Sequence, residues 1–148
     1  MKKIISLAVC FGMPFVFMGA KTAEDTPPTT SAQAFVLYCP DNNTVICSKN
    51  ADEKMKPAST TKIMTSLITL EEAASCNSEV TFKQEMVAEG SSMYLKVGEK
   101  VRLSDLASGM MMASGNDAAN AAAYAISGSP EKFSQRMNEK AKQIGMTN

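Results

Sequence analysis

Two short stretches of this 148-residue chain carry side chains able to act on a carbonyl: PASTTK (residues 57–62) and SGN (residues 114–116). In the first, Ser59 and Lys62 are three residues apart, which on a helix puts them on one face about a turn apart. A serine hydroxyl attacks a carbonyl only when another group takes its proton. The chain contains no histidine, so a Ser-His-Asp arrangement is excluded and lysine is the base that remains. Lysine can accept that proton only when neutral, a state that burial or a neighbouring cation favours. A helix start also offers unpaired N–H groups to a developing oxyanion. In the second stretch, Ser114 could relay a proton and Asn116 could grip a substrate amide. Both stretches have plainer readings. Ser59 could simply cap a helix, and Ser114-Gly115-Asn116 could end one helix while Asn116 caps the next. Spacing alone leaves both open.

The elements that must position these residues are legible in outline. Residues 34–39 (AFVLYC) and 44–48 (TVICS) are short and rich in β-branched and aromatic types, with Pro40, Asp41, Asn42 and Asn43 between them. They predict a β-hairpin. From Ser59, apolar residues recur at Ile63, Met64, Leu67, Ile68 and Leu70, the period of a helix of about four turns with that stripe toward the core. Pro57 suits the chain's entry into it. Residues 78–82 predict a short strand and residues 90–103 a loop with short strands. Three helical segments follow at 104–114, 116–127 and 129–145. Ser104 is placed to cap the first. Ser129 caps the last, with Pro130 in its first turn and Gly145 at its end. A strand pair followed by a helical block makes the class α+β.

Charge is balanced, with 15 basic and 15 acidic residues, so there is no field to attract nucleic acid. The first twenty residues have Lys2 and Lys3, an apolar run and then Gly19 and Ala20. That is the layout of a secretory signal peptide over residues 1–20, with an uncleaved membrane anchor as the alternative. Residues 21–33 are polar with paired prolines and read as a flexible lead-in. In an exported chain Cys39 and Cys47, on either side of the turn, could face each other as a disulfide. The simpler expectation is two small apolar strand residues. Without histidine, and with scattered cysteines, neither a metal site nor a cofactor is expected.

The order and spacing of PAS-TT-K-IMT, SGNDAANA and FSQRMNEKAKQIGM resemble the serine-type D-alanyl-D-alanine carboxypeptidases, the low-molecular-mass penicillin-binding proteins. The resemblance runs from about Ala34 to the last residue. It implies a β-lactamase/transpeptidase-like fold over residues 34–148. It also implies trimming of peptidoglycan pentapeptides at their D-Ala-D-Ala terminus, penicillins and other β-lactams as ligands, and a site on the outer face of the cytoplasmic membrane, in the periplasm or at the wall. Carried over to this sequence, Ser59 would be the nucleophile and Lys62 its general base. Ser114 would be the proton-relay hydroxyl, and Asn116 a hydrogen-bond partner of substrate and Lys62.

The family's third motif, Lys-Thr-Gly on a later strand, has no counterpart here. Lys96-Val97-Gly98 resembles it but stands between the first two motifs, in the wrong order. The expectation is therefore a partial fold, an N-terminal hairpin plus a helical lobe with most of the central sheet missing, in a truncated product without useful turnover. A serine β-lactamase-like enzyme, a non-catalytic penicillin- or wall-binding remnant, and a secreted helical protein whose Ser59 and Asn116 merely cap helices are the competing readings.

Overall fold

The computed structural model describes residues 29–146. The segment expected to be a signal peptide, 1–20, and most of the expected lead-in lie outside them, and residues 29–34 form neither helix nor strand. The described residues are α+β and fall into two compact units, one ending at Glu53 and one beginning at Lys54.

The first unit holds the hairpin, β1 (Phe35–Cys39) and β2 (Thr44–Lys49), paired antiparallel with an irregularity between Leu37 and Tyr38. Asn43 takes a left-handed conformation in the connection, as asparagine does more readily than other side chains, and its side chain accepts from the Tyr38 hydroxyl. Cys47 lies opposite Leu37, and Cys39 opposite Thr44. The register of the hairpin thus does not make the two cysteines direct partners, and both are free thiols. Val36, Leu37, Tyr38, Val45 and Ile46 are all exposed.

The second unit carries the candidate residues. It contains α1 (Thr61–Ser75), β3 (Glu79–Thr81), β4 (Lys100–Arg102), α2 (Leu103–Ala113), α3 (Asn116–Ser127) and α4 (Pro130–Gln143). β3 and β4 pair antiparallel, with Val80 opposite Val101. Both valines point into the main core, where Phe82, Met86, Leu106 and Met110 meet the alanines of α3. Ala118, Ala121, Ala122 and Ala123 are buried; side chains this small let α2 and α4 approach the α3 backbone closely. A second cluster of Ile68, Ala123 and Phe133 joins α1, α3 and α4. Two ion pairs lie on the same side of the unit, Arg136–Glu72 at 2.8 Å and Lys140–Glu71 at 2.7 Å.

Helix α1 differs from its sequence expectation. Of the apolar stripe, Ile68 is buried, whereas Ile63, Leu67 and Leu70 are exposed. The face turned inward is Thr65, Ser66, Ile68 and Thr69. Thr69 Oγ1 donates 2.7 Å back to the Thr65 carbonyl, which removes most of the cost of burying its hydroxyl. Ser66 Oγ, by contrast, has no partner. Ile63 and Leu67 of the exposed stripe border a cleft of about 760 Å³ between α1 and α4, with Pro57, Met137, Ile144 and Met146 on its other sides.

Helix starts also differ in detail. α2 begins at Leu103, and Ser104 is not its cap. Instead Asn77 reaches across: its Oδ1 accepts from Ser104 N at 3.0 Å and its Nδ2 donates to Ser104 Oγ at 3.0 Å. At α4, Ser129 Oγ accepts from Lys132 N as expected, with Pro130 in the first turn.

Candidate active site

Ser59 stands in the middle of a single 3-10 turn, Ala58–Thr60, that leads into α1. The turn is held by the Pro57 carbonyl, which accepts from Thr60 N at 3.1 Å and Thr60 Oγ1 at 2.5 Å. The helix cap is Thr60, and it makes no side-chain capping bond. The simple capping reading of Ser59 therefore fails here, because the hydroxyl is engaged elsewhere. Ser59 Oγ accepts from Ser114 Oγ at 3.0 Å and lies 3.5 Å from Lys62 Nζ. Lys62 is the half-buried member of the pair, the second residue of α1, while Ser59 is exposed.

Ser114 arrives from the other direction. It ends α2 in a left-handed conformation, φ 54° and ψ 32°, with its N–H returned to the Gly109 carbonyl. This is the usual helix stop geometry, normally filled by glycine, and it turns the hydroxyl toward α1. Two elements distant in sequence thus bring three of the four sequence-selected residues together around one oxygen.

Asn116 is held differently. α3 is capped by Gly115, and Asn116 is the first helical residue rather than a cap. Its main-chain N–H donates to the Ser91 carbonyl at 2.7 Å and its Nδ2 to the Glu89 carbonyl at 2.7 Å. Among the described residues it makes no hydrogen bond to Ser59, Lys62 or Ser114. A carbonyl only accepts, so the Glu89 contact fixes which end of the amide points at the loop. The Oδ1 end is left free to accept.

One residue of this neighbourhood escaped the sequence reading. Asp117 is 4% exposed, and its carboxylate accepts four bonds. Oδ1 takes Met93 N at 2.8 Å and Ala118 N at 2.9 Å; Oδ2 takes Ser92 Oγ at 2.7 Å and Leu95 N at 3.1 Å. Burial pushes this carboxyl up, but the bonds from Met93, Ser92, Leu95 and Ala118 together outweigh it and hold the group below the usual carboxylate range. An acidic residue in the first turn of a helix was the available signal. It would have suggested only a dipole contact. Gly115 and Gly109 make room for the same loop. A Cβ on Gly115 would lie 3.1 Å from Met93 N, and one on Gly109 would lie 2.2 Å from Met93 Sδ.

The D-alanyl-D-alanine carboxypeptidase family model, peptidase S11, matches residues 20–148. The chain belongs to that family. It is 35% identical to the D-alanyl-D-alanine carboxypeptidase DacF of Bacillus subtilis over 158 aligned residues, covering all of this chain and 41% of the relative. It is 38% identical to DacC of Escherichia coli, over 93% of this chain and 38% of the relative. Among solved structures, the carboxypeptidase DacD of Francisella tularensis superposes with a TM-score of 0.77 at 36% identity, over 82% of this chain and 30% of that one. Penicillin-binding protein 5 of Haemophilus influenzae gives 0.76 at 32% identity, over 83% and 38%. The chain thus spans about two fifths of the length of the curated carboxypeptidases it matches. Its fold is the corresponding part of theirs, with the Ser59 and Ser114 turns inside the matched region.

Proposed function

We propose that the protein carries the acylating part of a serine D-alanyl-D-alanine carboxypeptidase of peptidoglycan pentapeptides, whose acyl-enzyme forms on Ser59 and whose full turnover follows the steps below. The observation that carries this reading is the Ser59 oxygen, placed 3.0 Å from one hydroxyl and 3.5 Å from one amine. Lys62, in its neutral form, takes the Ser59 proton along the same line on which its protonated form donates. The freed oxygen attacks the carbonyl between the two terminal D-alanines. As the C–N bond breaks, Ser114 passes a proton to the leaving amine of D-alanine and is reprotonated from Lys62. Water then cleaves the ester, releases the shortened peptide and restores the Ser59 hydroxyl. Asn116 offers Oδ1 and its second Nδ2 hydrogen to the substrate backbone or to the Lys62 amine. A β-lactam carries a strained amide in place of the D-Ala-D-Ala bond and acylates the same oxygen. The substrate class calls for a location outside the cytoplasm, in the periplasm, on the outer face of the cytoplasmic membrane or at the cell wall, in keeping with residues 1–20 as an export signal.

Acylation by a fluorescent penicillin tests the reading. One adduct per chain is expected, mapped by mass spectrometry to Ser59 and absent in Ser59→Ala. Lys62→Ala should slow its formation about 10²- to 10⁴-fold, the usual loss on removing a general base. An adduct that survives Ser59→Ala, or none on folded protein, would defeat the assignment.

A further inference from the structure

The chemistry above uses Ser59, Lys62, Ser114 and Asn116, and leaves the buried Asp117 without a task. Its partners show what it does. Three of its four bonds come from one short segment: the Met93 and Leu95 amides and the Ser92 hydroxyl. The Ser92 hydroxyl also accepts from Tyr94 N at 2.8 Å. The carboxylate therefore gathers the turn at residues 92–95 onto the first turn of α3. Two further bonds tie the preceding residues of the same loop to Asn116, whose N–H and Nδ2 donate to the carbonyls of Ser91 and Glu89. Gly115 lies between, buried and without room for a side chain. Loop 89–95 and the start of α3 thus form one clasp, with the Asp117 carboxylate at one end and the Asn116 amide at the other.

We propose that Asp117 is a positioning residue for the active site. It holds loop 89–95 so that the Glu89 carbonyl captures Asn116 Nδ2, and this fixes Asn116 with its acceptor oxygen free for the substrate or Lys62. Without the carboxylate, the amides of Met93 and Leu95 lose their acceptor, and the loop has no charged anchor. The Asn116 side chain is then free to rotate and loses its fixed polarity. An amide at position 117 does not substitute. It keeps one acceptor oxygen, but its NH₂ group faces donors from Ser92 and Leu95 that need an acceptor. Displacing a binding group by about an ångström can cost roughly a hundredfold in rate.

The experiment compares wild type with Asp117→Asn and the milder Ser92→Ala by nuclear magnetic resonance and by penicillin acylation. In Asp117→Asn, amide-exchange protection should fall at Met93 and Leu95 while α4 amides such as Phe133 keep theirs. The Asn116 side-chain NH₂ hydrogen bound to the Glu89 carbonyl should shift toward the resonance of a free side-chain amide and exchange faster with water. Ser92→Ala should move both readouts in the same direction by less, and it guards against an Asp117 variant that does not fold. Acylation by the fluorescent penicillin should slow about 10- to 100-fold in Asp117→Asn. The proposal is overturned if the loop amides lose protection while the Asn116 signals stay unchanged, or if acylation keeps its wild-type rate. It rests on the proposed function only for the rate. If wild-type protein takes no penicillin, that reading fails, and the Asn116 signals alone decide the positioning role.

Discussion

Replacing Gly115 by alanine tests whether the close approach of loop and helix holds this region together. The backbone at Gly115, φ −60° and ψ 116°, is open to any L-residue, so alanine meets no torsional penalty. The obstacle is contact. The new Cβ would lie 2.9 Å from Asp117 Oδ1, 3.1 Å from Met93 N and 3.3 Å from Ala118 Cβ. None of these neighbours can give way cheaply. Met93 N is bonded to Asp117 Oδ1 at 2.8 Å, and Ala118 is fully buried. Overpacking of this kind costs about 1–3 kcal/mol, and alanine is a poorer N-cap than glycine by about 0.5 kcal/mol. Against this, alanine lowers the entropy of the unfolded chain, which returns about 0.4–1 kcal/mol. The balance is a loss of roughly 1–2 kcal/mol. With a urea slope near 1 kcal/mol/M for so small a unit, the unfolding midpoint should fall by about 1 M or more. Far-ultraviolet circular dichroism reads this unit, which holds all the helices among the described residues. A midpoint unchanged or raised would show that the loop yields freely and that the contact carries no energy.

Two further outcomes follow from buried polar groups. Ser66→Ala removes a buried hydroxyl with no partner from a helix interior and should raise stability by about 1 kcal/mol in the same urea assay; destabilisation would mean the hydroxyl has a partner in solution. The Asp117 carboxyl, held below its usual range when folded, contributes stability that is complete above the unfolded value of about 3.9 and is lost as pH falls toward the folded one. The unfolding midpoint should therefore hold steady from about pH 7 to pH 5 and drop below about pH 4. The drop should be shallower in Asp117→Asn, and equal slopes in the two proteins would refute the assignment.

Much of the architecture was readable because local signals and global packing agree. The turn residues at 40–43 and the β-branched runs beside them gave the hairpin. Ser129, Pro130 and Gly145 bounded α4. The burial of α1 was not readable in this way. Its apolar period is real, but hydrophobicity alone does not say which face meets which neighbour, and the closely packed side turned out to carry threonine and serine. Small side chains permit the approach, and back-bonding to the helix, as Thr69 makes to Thr65, satisfies the hydroxyl. The site was legible as residue types in an order. Its geometry was not, since the contact of Ser114 with Ser59 joins residues 55 apart in sequence. Asp117 was hidden for a related reason. Three of its four partners are main-chain N–H groups, which every residue but proline carries and no motif records.

The backbone supplies a separate argument for where function lies. Five residues other than glycine adopt positive φ among the described residues: Asn43, Asn50, Ala58, Tyr94 and Ser114. The two asparagines lie in the hairpin unit, and asparagine visits this region at little cost. Alanine, tyrosine and serine do not, and each such residue costs of order 1–3 kcal/mol that the surroundings must offset. Ala58 immediately precedes the proposed nucleophile, Ser114 is the proposed relay, and Tyr94 lies in the turn gathered by Asp117. If α2 needed only to stop, glycine at position 114 would do so without strain, but it would remove the hydroxyl that meets Ser59. The chain therefore retains an unfavourable backbone at the places where a side chain or a following oxygen must be aimed. That distribution follows the demands of a site and not those of folding alone.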